Sequence, residues 1–504
     1  MSMPAESTKL RANLQQLLRG IAEAPALAVH DIASDSRRLV SGDVFFAVQG
    51  DTSHGLDYAD QALAAGVAAI VWDQDTGRPE QVPTTVPSIP VAGLAGHVGE
   101  IASRWFEFPS ARLKVAGITG TNGKTTVAFL LAQSLSLLKQ RAGYIGTLGA
   151  GTDGLDASAD MTTPASIELH RRLAEFVASG ATHAALEVSS HGIEQGRVDG
   201  VEFDAAVFTN LSRDHIDYHG DMQSYAETKA RLFLDHEPQH CVINVDDKFG
   251  RALAARCKQD VVRVSAETDL TADGSSFLSV TAATPGGGGT RIALAGSWGN
   301  AELQLPLVGD FNVLNAACVL ALLLRWGVAL PEACRVLSRV EAPPGRMQRV
   351  AGSSGPDIYV DYAHTPAALE AALTALRPHT RGRLWCVFGC GGDRDQGKRP
   401  MMGETAARLA DRQIVTSDNP RSEAPGKIIA EILAGMHPDS IAIEDRAAAI
   451  AYAIAQAADD DLLLIAGKGH ETYQQVGVER LPFSDYAVAE ALLAAGSVDG
   501  STRT

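Results

Sequence analysis

The chain has few cysteines, no long apolar run and fewer positive than negative charges, and each shortage excludes a class of protein. Its six cysteines contain no Cys-x-x-Cys and no other paired spacing. Neither a zinc knuckle nor a disulfide framework is therefore indicated, and a reducing cytoplasm fits best. Lysine and arginine number 43 against 60 acidic residues, a formal net charge of −17. That balance disfavours general binding to nucleic acid or an anionic membrane, so donors placed locally must hold any phosphorylated ligand.

No apolar run is long enough to cross a bilayer. The most apolar segment, VLNAACVLALLL at 313–324, is shorter than the roughly 20 residues that a spanning helix needs, and it predicts a core helix. The N-terminus has no basic stretch followed by an apolar segment, so no secretion signal is indicated. Its apolar residues instead recur at the spacing of an amphipathic helix: Leu10, Leu14, Leu17, Leu18 and Ile21.

The chain is long enough for several domains: a domain has about 150 residues, so 504 residues suggest about three domains. Residues 1–112 hold short strand-like runs around an alanine-rich helix and predict a small α/β domain. Residues 113–344 alternate strand-like and helical runs, the pattern of a parallel sheet covered by helices. Within them, four successive glycines at 286–289 predict a turn in a β excursion. Residues 345–504 repeat the alternation and predict a doubly wound, Rossmann-like domain.

Two glycine-rich loops are candidates for a phosphate site. In GITGTNGKTT, residues 117–126, the glycines depart by one position from the common G-x-x-x-x-G-K-[ST] pattern, but an apolar strand precedes and a helical run follows. Lys124 supplies charge and Thr125 supplies the hydroxyl that Mg²⁺ requires. In GDRDQGKR, residues 392–399, the spacing is right but Arg399 replaces the hydroxyl residue. Its Arg394, Lys398 and Arg399 suit recognition of carboxylate or phosphate.

The first loop is therefore the predicted nucleotide site, and its candidate binding residues are Gly120, Thr121, Asn122, Gly123, Lys124, Thr125 and Thr126. Such a loop needs an acidic metal ligand at the end of a neighbouring strand, and Glu187 follows the apolar run HAALE. His215 and His219 stand four apart among aspartates, a spacing that would suggest zinc on a helix. They follow a strand and no helix is evident there, so Mg²⁺ and zinc both stay open.

A set of longer motifs then carries a family resemblance. In order along the chain these are TGTNGKTT, EVSSHGIEQGR, NLSRDHIDYHG, YAETKARLF, GDFNVLNAA, PPGRMQ, DYAHTP, GCGGDRDQGKRP, SDNPRSE and AGKGHE. Together they resemble the Mur ligases of peptidoglycan synthesis over nearly the whole chain. Within that family they are most similar to the branch that adds the third residue to UDP-N-acetylmuramoyl-L-alanyl-D-glutamate. DSRRLVSGDVFFAVQG, at 35–50, resembles the nucleotide-sugar domain of that branch. The family loop has the form G-T-x-G-K-T, which explains the unusual spacing.

The resemblance implies ATP-driven amide formation in a protein with three domains: a small N-terminal domain, a central P-loop ATPase domain and a C-terminal Rossmann-like domain. The γ-phosphoryl group moves to the D-glutamyl γ-carboxylate, and an amine then displaces phosphate from the acyl phosphate. Motif matching implies that Thr125 and Glu187 hold one Mg²⁺, and that Glu187, His215 and Lys229 hold another. In the family the lysine matched by Lys229 is carbamylated by CO₂, which converts a cation into an anion. Lys124, His215 and Lys229 are accordingly the implied catalytic residues.

The remaining roles also follow from the resemblance. Ser34 would contact the uridine end of the precursor. The muramoyl dipeptide would be bound by Thr162, Thr163, Ser189, Gln195 and Arg197, and ATP also by Asn312, Arg346 and Asp361. The candidates for the incoming amino acid are Arg394, Asp418, Asn419, Arg421, Gly467 and Glu471.

The DNPR run at 418–421 indicates which amino acid is added. Its arginine suits a ligand with a second carboxylate, which meso-2,6-diaminopimelate has and lysine lacks. The implied reaction therefore joins diaminopimelate to UDP-N-acetylmuramoyl-L-Ala-D-Glu, in a cytoplasmic monomer that neither binds nucleic acid nor inserts into a membrane. Three alternatives stay open: a lysine-adding Mur ligase, a folylpolyglutamate synthetase-like ligase, and a non-catalytic nucleotide-binding regulator. About 112 residues before the nucleotide loop count against the second.

Overall fold

A computed structural model describes residues 13–50, 53–77, 79–156, 161–267, 270, 275–286, 288–352, 355–438 and 440–499. Of the helix predicted at the N-terminus, Leu10 lies outside these residues, and only α1, Leu14–Leu17, is helical. The chain folds into two compact units. The first contains the described residues of Met1–Lys124, Leu135–Ile243 and Asp247–Val261, and the second those of Thr125–Ser134, Asn244–Asp246 and Val262–Thr504.

The first unit begins with a small parallel sheet in the order β1-β2-β3-β4. Its strands are β1 Ile32–Ala33, β2 Val44–Ala47, β3 Ala69–Asp73 and β4 Ser88–Val91, and its helices after α1 are α2 Ala59–Ala64 and α3 Leu94–Trp105. All residues of β2 and β3 are buried, because a parallel sheet between two layers hides both faces of its strands. The predicted small α/β domain is thus present in this part of the chain.

A second parallel sheet completes the first unit, in the order β10-β9-β5-β8-β6, with the short β7 antiparallel at its edge. The strands are β5 Lys114–Thr119, β6 Ala142–Gly146, β7 Gly149–Gly151, β8 His183–Glu187, β9 Ala205–Phe208 and β10 His240–Asn244. The helices of this region are α5 Ser166–Ala178, α6 Ser190–Glu194, α7 Ile216–His219, α8 Met222–Leu234 and α9 Lys248–Arg256. Helix α4, Lys124–Leu137, follows the nucleotide loop, and its residues Thr125–Ser134 belong to the second unit. The strand predicted before the nucleotide loop, β5, lies centrally, between β8 and β9.

The second unit starts with the predicted β excursion. It consists of β11 Asp260–Ser265, β12 Ser276–Gly286, β13 Gly289–Gly296 and β14 Gly299–Leu305, followed by α10 Asp310–Arg325 and α11 Leu330–Leu337. Gly286 pairs with Gly289 across the β12-β13 hairpin and Gly288 lies in a turn, as predicted, whereas Gly287 lies outside the described residues. Helix α10 contains the most apolar segment and is buried along nearly its whole length, which confirms the core helix.

The second unit ends in a doubly wound sheet in the order β15-β16-β20-β17-β18-β19. Its strands are β15 Gln348–Val350, β16 Asp357–Asp361, β17 Leu384–Phe388, β18 Arg412–Val415, β19 Ile441–Ala442 and β20 Leu462–Ala466, and a hairpin of β21 Tyr473–Val476 and β22 Glu479–Pro482 follows. Helices α12 Pro366–Leu376, α13 Lys398–Leu409 and α14 Pro425–Leu433 share one core with the sheet; α15 Arg446–Gln456 and α16 Asp485–Asp499 share the other. Apolar side chains on both faces of β17 and β20 explain why helices cover both sides.

Two further features bear on the class of protein. Across the described ranges, no helix combines the length and apolarity needed to cross a bilayer. All six cysteines are free thiols. The cysteines therefore form no disulfide framework, as their spacing predicted.

Candidate active site

The loop after β5 has the geometry of a phosphate cradle. Gly120 has φ +146°, and a Cβ there would lie 2.0 Å from Thr209 Oγ1, so only glycine fits. The amide N–H of Thr121 donates to the Asn210 carbonyl (2.8 Å), and that of Asn122 donates to Asn210 Oδ1 (3.0 Å). The segment after β9 therefore holds the loop in shape.

Lys124 begins helix α4 and folds back onto the same loop. Its Nζ donates to the carbonyls of Gly120 and Thr121, at 2.9 Å each. Thr125 and Thr126, the next two residues of α4, are buried. The lysine thus reaches the loop interior, where a P-loop lysine contacts the phosphates of a nucleotide.

Glu187 ends β8 and is fully buried. Its position beside the nucleotide loop is as predicted, because Glu187 pairs with Ile118 of the neighbouring β5. Oε1 accepts hydrogen bonds from Tyr144 Oη (2.5 Å) and the Thr147 amide (2.9 Å), and Oε2 accepts one from Thr147 Oγ1 (3.2 Å). These donors stabilise an ionised carboxylate in a fixed orientation, as a metal ligand requires.

Lys229 lies in α8 and is 1% exposed, although the sequence alone would place it on a helix surface. Its Nζ donates to the Gly120 carbonyl (2.9 Å) and lies 4.4 Å from the centroid of the Tyr225 ring. Burial, and then the charge of Lys124, hold the pKa of Lys229 well below its usual range, with Asp214 opposing them. A neutral amine of this kind is nucleophilic enough to combine with CO₂.

His215 lies beside this cluster, and here the sequence interpretation needs a correction. No helix was expected, but α7 begins directly after His215, which has a left-handed φ of +53°. The ring of His215 packs edge-on against His191, with 4.8 Å between centroids, and its Nε2 is 3.5 Å from Asp214 Oδ2. His219 Nε2 instead pairs with Ser190 Oγ at 3.0 Å. The two histidines thus have different polar partners, although both rings contact His191 and Tyr225.

The residues of this region fit a nucleotide and a hard cation better than a preformed zinc site. Within the described ranges, no three His, Cys, Asp or Glu side chains group as metal ligands. What the region offers is a glycine cradle, a lysine on that cradle and one fixed carboxylate, with a second lysine buried beside them. Hard cations take oxygen ligands, and here substrate phosphates and a carbamate would have to supply several.

The residues expected to bind the muramoyl dipeptide are brought together after β8. Thr163 Oγ1 pairs with Ser189 Oγ (3.1 Å) and donates to the carbonyl of Glu187 (2.9 Å). Arg197 donates to the Thr163 carbonyl (2.9 Å) and to the side chain of Gln195. Thr162 Oγ1 lies 3.1 Å from Thr147 Oγ1, which also contacts Glu187.

Ser34 lines a cavity of about 500 Å³ in the first unit. Four arginines line it, and each forms an ion pair with a carboxylate: Arg37 with Asp35 (2.7 Å), Arg38 with Glu168 (2.5 Å), Arg171 with Asp31 (2.6 Å) and Arg172 with Glu168 (3.0 Å). Met161, adjacent in sequence to Thr162, also lines the cavity. The cavity is thus large enough for part of a nucleotide sugar and contacts the dipeptide segment.

In the second unit, the loops after β17, β18 and β20 meet at the carboxyl edge of the sheet. The Gly392 amide donates to the Asn419 carbonyl (2.9 Å), and Arg421 donates to the Gly392 carbonyl (2.8 Å). Asn419 Nδ2 donates to Glu471 Oε2 at 2.7 Å. Arg394 is exposed on the first of these loops. A Cβ at position 467 would lie 2.7 Å from Asp418 Oδ2, so all six predicted amino-acid ligands belong to one loop cluster.

The second glycine-rich loop differs from its expected chemistry at Arg399. Arg399 is fully buried, with its guanidinium bound to Glu423 (2.7 Å) and Glu431 (2.6 Å), so it is a structural ion pair and not a ligand group. Lys398 donates to the His364 carbonyl at 2.8 Å. Helix α14 supplies Glu431, which sequence spacing could not reveal.

The three other residues expected to bind ATP are also in the second unit. Asp361 ends β16 and accepts the amides of Met347 (2.8 Å) and Ala363 (2.9 Å). Its pKa is raised by burial, against the opposing charge of Arg346. Arg346 lies over the Tyr362 ring, 4.6 Å from its centroid. Asn312 is separate: it is buried in α10 and donates to the Val308 carbonyl (2.9 Å).

The structure identifies three residues of these sites that the sequence analysis missed. Tyr144 orients Glu187, and Tyr225 lies between the nucleotide loop and Lys229, with its Oη 3.2 Å from Thr121 Oγ1. Burial raises the pKa of Tyr225 to about 12, so it stays a neutral donor. Lys468 binds both Asn419 and Glu471. Tyr225 and Lys468 stand inside motifs that were singled out, which was the available signal.

Comparison with known proteins agrees with this arrangement. Three family models match successive segments: "Mur ligase family, catalytic domain" at 28–106, "Mur ligase middle domain" at 118–323 and "Mur ligase, glutamate ligase domain" at 345–469. The UDP-N-acetylmuramoyl-L-alanyl-D-glutamate–2,6-diaminopimelate ligase of Chromobacterium violaceum is 46% identical over 473 residues, 93% of this chain and 95% of that protein. The ligase of that name from Pseudomonas aeruginosa is 47% identical over 474 residues, 94% of this chain and 96% of that protein.

A solved structure of a ligase with the same name superimposes with a TM-score of 0.71 at 32% identity, covering 97% of this chain and all of that one. The three-domain α/β fold inferred from the motifs is thereby confirmed. The chain belongs to the Mur ligase family of ATP-dependent ligases.

Proposed function

We propose that this ligase adds meso-2,6-diaminopimelate to the D-glutamyl γ-carboxylate of UDP-N-acetylmuramoyl-L-Ala-D-Glu, with conversion of ATP to ADP and phosphate, in peptidoglycan precursor synthesis. The observation that carries the proposal is the Lys229 amine, buried on the carbonyl of Gly120 in the nucleotide loop. Among the described residues no carboxylate forms an ion pair with it. Burying a lysine in this way is costly for folding, and a catalytic use accounts for it.

The reaction needs two steps because a carboxylate is a poor acyl donor. An oxygen of the γ-carboxylate attacks the γ-phosphorus of ATP, ADP leaves, and an acyl phosphate forms. The amine nitrogen then attacks the acyl carbon, inorganic phosphate leaves with the bonding electron pair, and the nitrogen loses a proton. In this scheme Lys124 and the loop amides stabilise the charge of the transferred phosphoryl group. Asn312, Arg346 and Asp361 are proposed as further ATP contacts, by motif matching.

The proposed ligands of Mg²⁺ are Thr125, Glu187, His215 and a carbamylated Lys229. When bound, Mg²⁺ would neutralise part of the negative charge through which the two anionic substrates repel each other. Tyr144 and Thr147 hold the Glu187 carboxylate in one orientation. Tyr225 is neutral and therefore adds no further charge to the buried cluster. Carbamylation would convert the neutral amine of Lys229 into an anion, which suits a site that must attract a cation.

The amino acid is proposed to be selected at Arg421. Its guanidinium gives one N–H to the Gly392 carbonyl, which leaves the fork free to pair with a distal carboxylate. Lysine has no such carboxylate; Arg421 is half-buried, and leaving a guanidinium that the bound substrate desolvates without a carboxylate costs about 2 to 5 kcal/mol. At 1.4 kcal/mol per decade this is roughly 30-fold to several thousand-fold in affinity. Because Gly392 already satisfies one N–H, we expect the lower part of that range.

The wider assignments are part of the same proposal. Ser34 and its cavity would take the uridine end, and the Thr162 to Arg197 cluster the muramoyl dipeptide. Boundaries at 112/113 and 344/345 would separate the three domains, and the matched segments at 28–106, 118–323 and 345–469 support them. Free thiols and use of ATP support a cytoplasmic enzyme. We propose that the enzyme is a monomer.

The test is phosphate release measured with ATP, UDP-N-acetylmuramoyl-L-Ala-D-Glu and a panel of amino acids, each component being omitted in turn. We expect release only with all three components, and with diaminopimelate far ahead of lysine. A lysine preference would identify the lysine-adding alternative, and activity with folate and glutamate would identify the synthetase-like one. ATP hydrolysis without either cosubstrate would contradict the proposed ligase.

A further inference from the structure

A lysine that no motif assignment uses lies beneath the amino-acid loops. Lys468 follows β20, and its side chain is fully buried. The Nζ donates to Asn419 Oδ1 (3.0 Å) and to Glu471 Oε2 (2.8 Å), and it lies 5.7 Å from the centroid of the Tyr473 ring. A buried ammonium cannot touch a ligand in the cleft, but it contacts two side chains that are proposed to do so.

The hydrogen bonds of Lys468 determine how the Asn419 amide is turned. An ammonium only donates, so the amide must present its oxygen to Lys468. That oxygen also accepts the Gln475 amide N–H at 2.8 Å, and the amide nitrogen donates to Glu471 Oε2 at 2.7 Å. Lys468, Asn419 and Glu471 therefore form a closed triangle, in which each polar group has one orientation.

The same triangle leaves one carboxylate oxygen of Glu471 for a ligand. Both side-chain donors bind Oε2, and among the described residues Oε1 has no hydrogen-bond donor. The Glu471 side chain is 18% exposed. A carboxylate oriented in this way suits the ammonium group of an amino acid, and Lys468 holds it in that orientation.

The backbone around Lys468 is also constrained. Gly467 has φ +116°, and a Cβ there would lie 2.7 Å from Asp418 Oδ2. Asp418 in turn accepts the Asn419 amide N–H at 2.6 Å. The loop that carries the lysine is therefore packed directly against the loop whose amide it orients.

We propose that Lys468 is a positioning residue of the amino-acid subsite, which fixes Asn419 and Glu471 for an amino acid without contacting it. The proposal rests on the proposed function, since it takes Asn419 and Glu471 as amino-acid ligands. A positioning role and a purely structural role predict different results. If Lys468 positions the subsite, removal of its ammonium weakens the binding of the amino acid and not the binding of ATP or the UDP-muramoyl dipeptide.

The test uses the full-length enzyme and the substitution Lys468→Met, which keeps most of the chain length but removes the charge. Losing two charge-assisted hydrogen bonds should raise the KM for diaminopimelate about 10-fold to 100-fold. The KM values for ATP and for the UDP-muramoyl dipeptide should stay within about twofold, because the lost interactions serve the binding of one substrate only. Lys427→Met is the matched control, since Lys427 is 59% exposed in the same unit.

A double-mutant cycle tests whether Lys468 acts through Glu471. In a Glu471→Gln background, Lys468→Met should raise the KM for diaminopimelate by a smaller factor than in the parent, because the carboxylate to be fixed is already absent and only the orientation of Asn419 is lost. The Lys468→Met single variant leaves Glu471 without its counter-charge, which could impair folding. The double variant removes both charges, so it keeps the test valid if the single variant folds poorly. An unchanged KM for diaminopimelate in Lys468→Met, or equal increases for all three substrates, would overturn the proposal. A parent enzyme inactive with diaminopimelate would overturn the proposed function as well.

Discussion

At the scale of single residues, buried charge separates structural from functional side chains. Among the described residues four lysine or arginine side chains are almost fully buried: Lys229, Arg399, Arg446 and Lys468. Arg399 and Arg446 pair with carboxylates through short bonds, the latter with Asp485 at 2.7 Å. Lys229 has a backbone carbonyl instead. Because a buried charge without a counter-charge is costly, burial holds the pKa of Lys229 well below its usual range, and a buried amine of this kind calls for a functional explanation.

Lys229 provides the first prediction at this scale. Lys229→Ala should lower kcat at least ~100-fold, because the proposed carbamate would no longer stabilise charge in the reaction. A small carboxylate such as formate in the assay buffer should partly restore activity by entering the vacated space. Phosphate release with and without formate is the measurement. A variant as active as the parent would remove Lys229 from the mechanism.

The two glycine-rich loops provide the second prediction at the scale of single residues. Lys124→Ala should lower kcat/KM for ATP at least ~100-fold, since its amine lies on the loop that would hold the phosphates. Lys398→Ala is the matched control, because its amine binds the carbonyl of His364 on another loop. It should change the KM for ATP less than about threefold. The reverse result would mean that the nucleotide is bound at the second loop.

At the scale of elements, the turn from β5 into α4 is the feature that most constrains the sequence. Gly120 lets the loop approach Thr209, which bonds the Asn122 carbonyl at 2.6 Å. The carbonyl of Gly120 accepts both Lys124 and Lys229. The carbonyl of Gly120, at the end of β5, therefore connects the nucleotide loop to helices α4 and α8.

Gly120→Ala should consequently disturb both folding and nucleotide use. Position 120 has φ +146°, and a Cβ there would lie 2.0 Å from Thr209 Oγ1. We therefore expect the free energy of unfolding to fall by about 1 to 3 kcal/mol, and the thermal midpoint to fall below that of the parent. Gly96→Ala in α3 is the control, since nothing lies within 4 Å of its Cβ. It should be neutral or stabilising by about 0.5 to 1 kcal/mol. Equal midpoints for the two variants would contradict the close-packed loop.

Sequence reasoning predicted elements better than it predicted side-chain environments. The apolar runs located β5, β8, β9 and β10 because parallel strands buried on both faces are continuously apolar. They also placed Glu187 at the end of a strand neighbouring the nucleotide loop. Burial of Lys229 and Arg399 could not be predicted from spacing, since it depends on Gly120 and Glu431, far away along the chain. The one-turn helix after His215 is too short to leave a periodic pattern.

At the scale of the whole molecule, a chain of net charge −17 handles anionic substrates through local groups. The first unit contains the glycine cradle with Lys124, and the arginine-lined cavity at Ser34. The second contains Arg421, bonded to the Gly392 carbonyl, and the buried Lys468, bonded to Asn419. Each candidate subsite thus has its own cations or backbone donors, so the excess of acidic residues elsewhere does not prevent binding.

The central claim is that the enzyme joins diaminopimelate, selected by its distal carboxylate, to the UDP-muramoyl dipeptide. The most direct measurement is a competition: equimolar meso-diaminopimelate and lysine, with ATP and the dipeptide, and the product identified by mass spectrometry. We expect product carrying diaminopimelate in at least ~30-fold excess, and loss of that excess in Arg421→Ala. Equal incorporation of lysine by the parent enzyme, or an undiminished excess in Arg421→Ala, would contradict the claim.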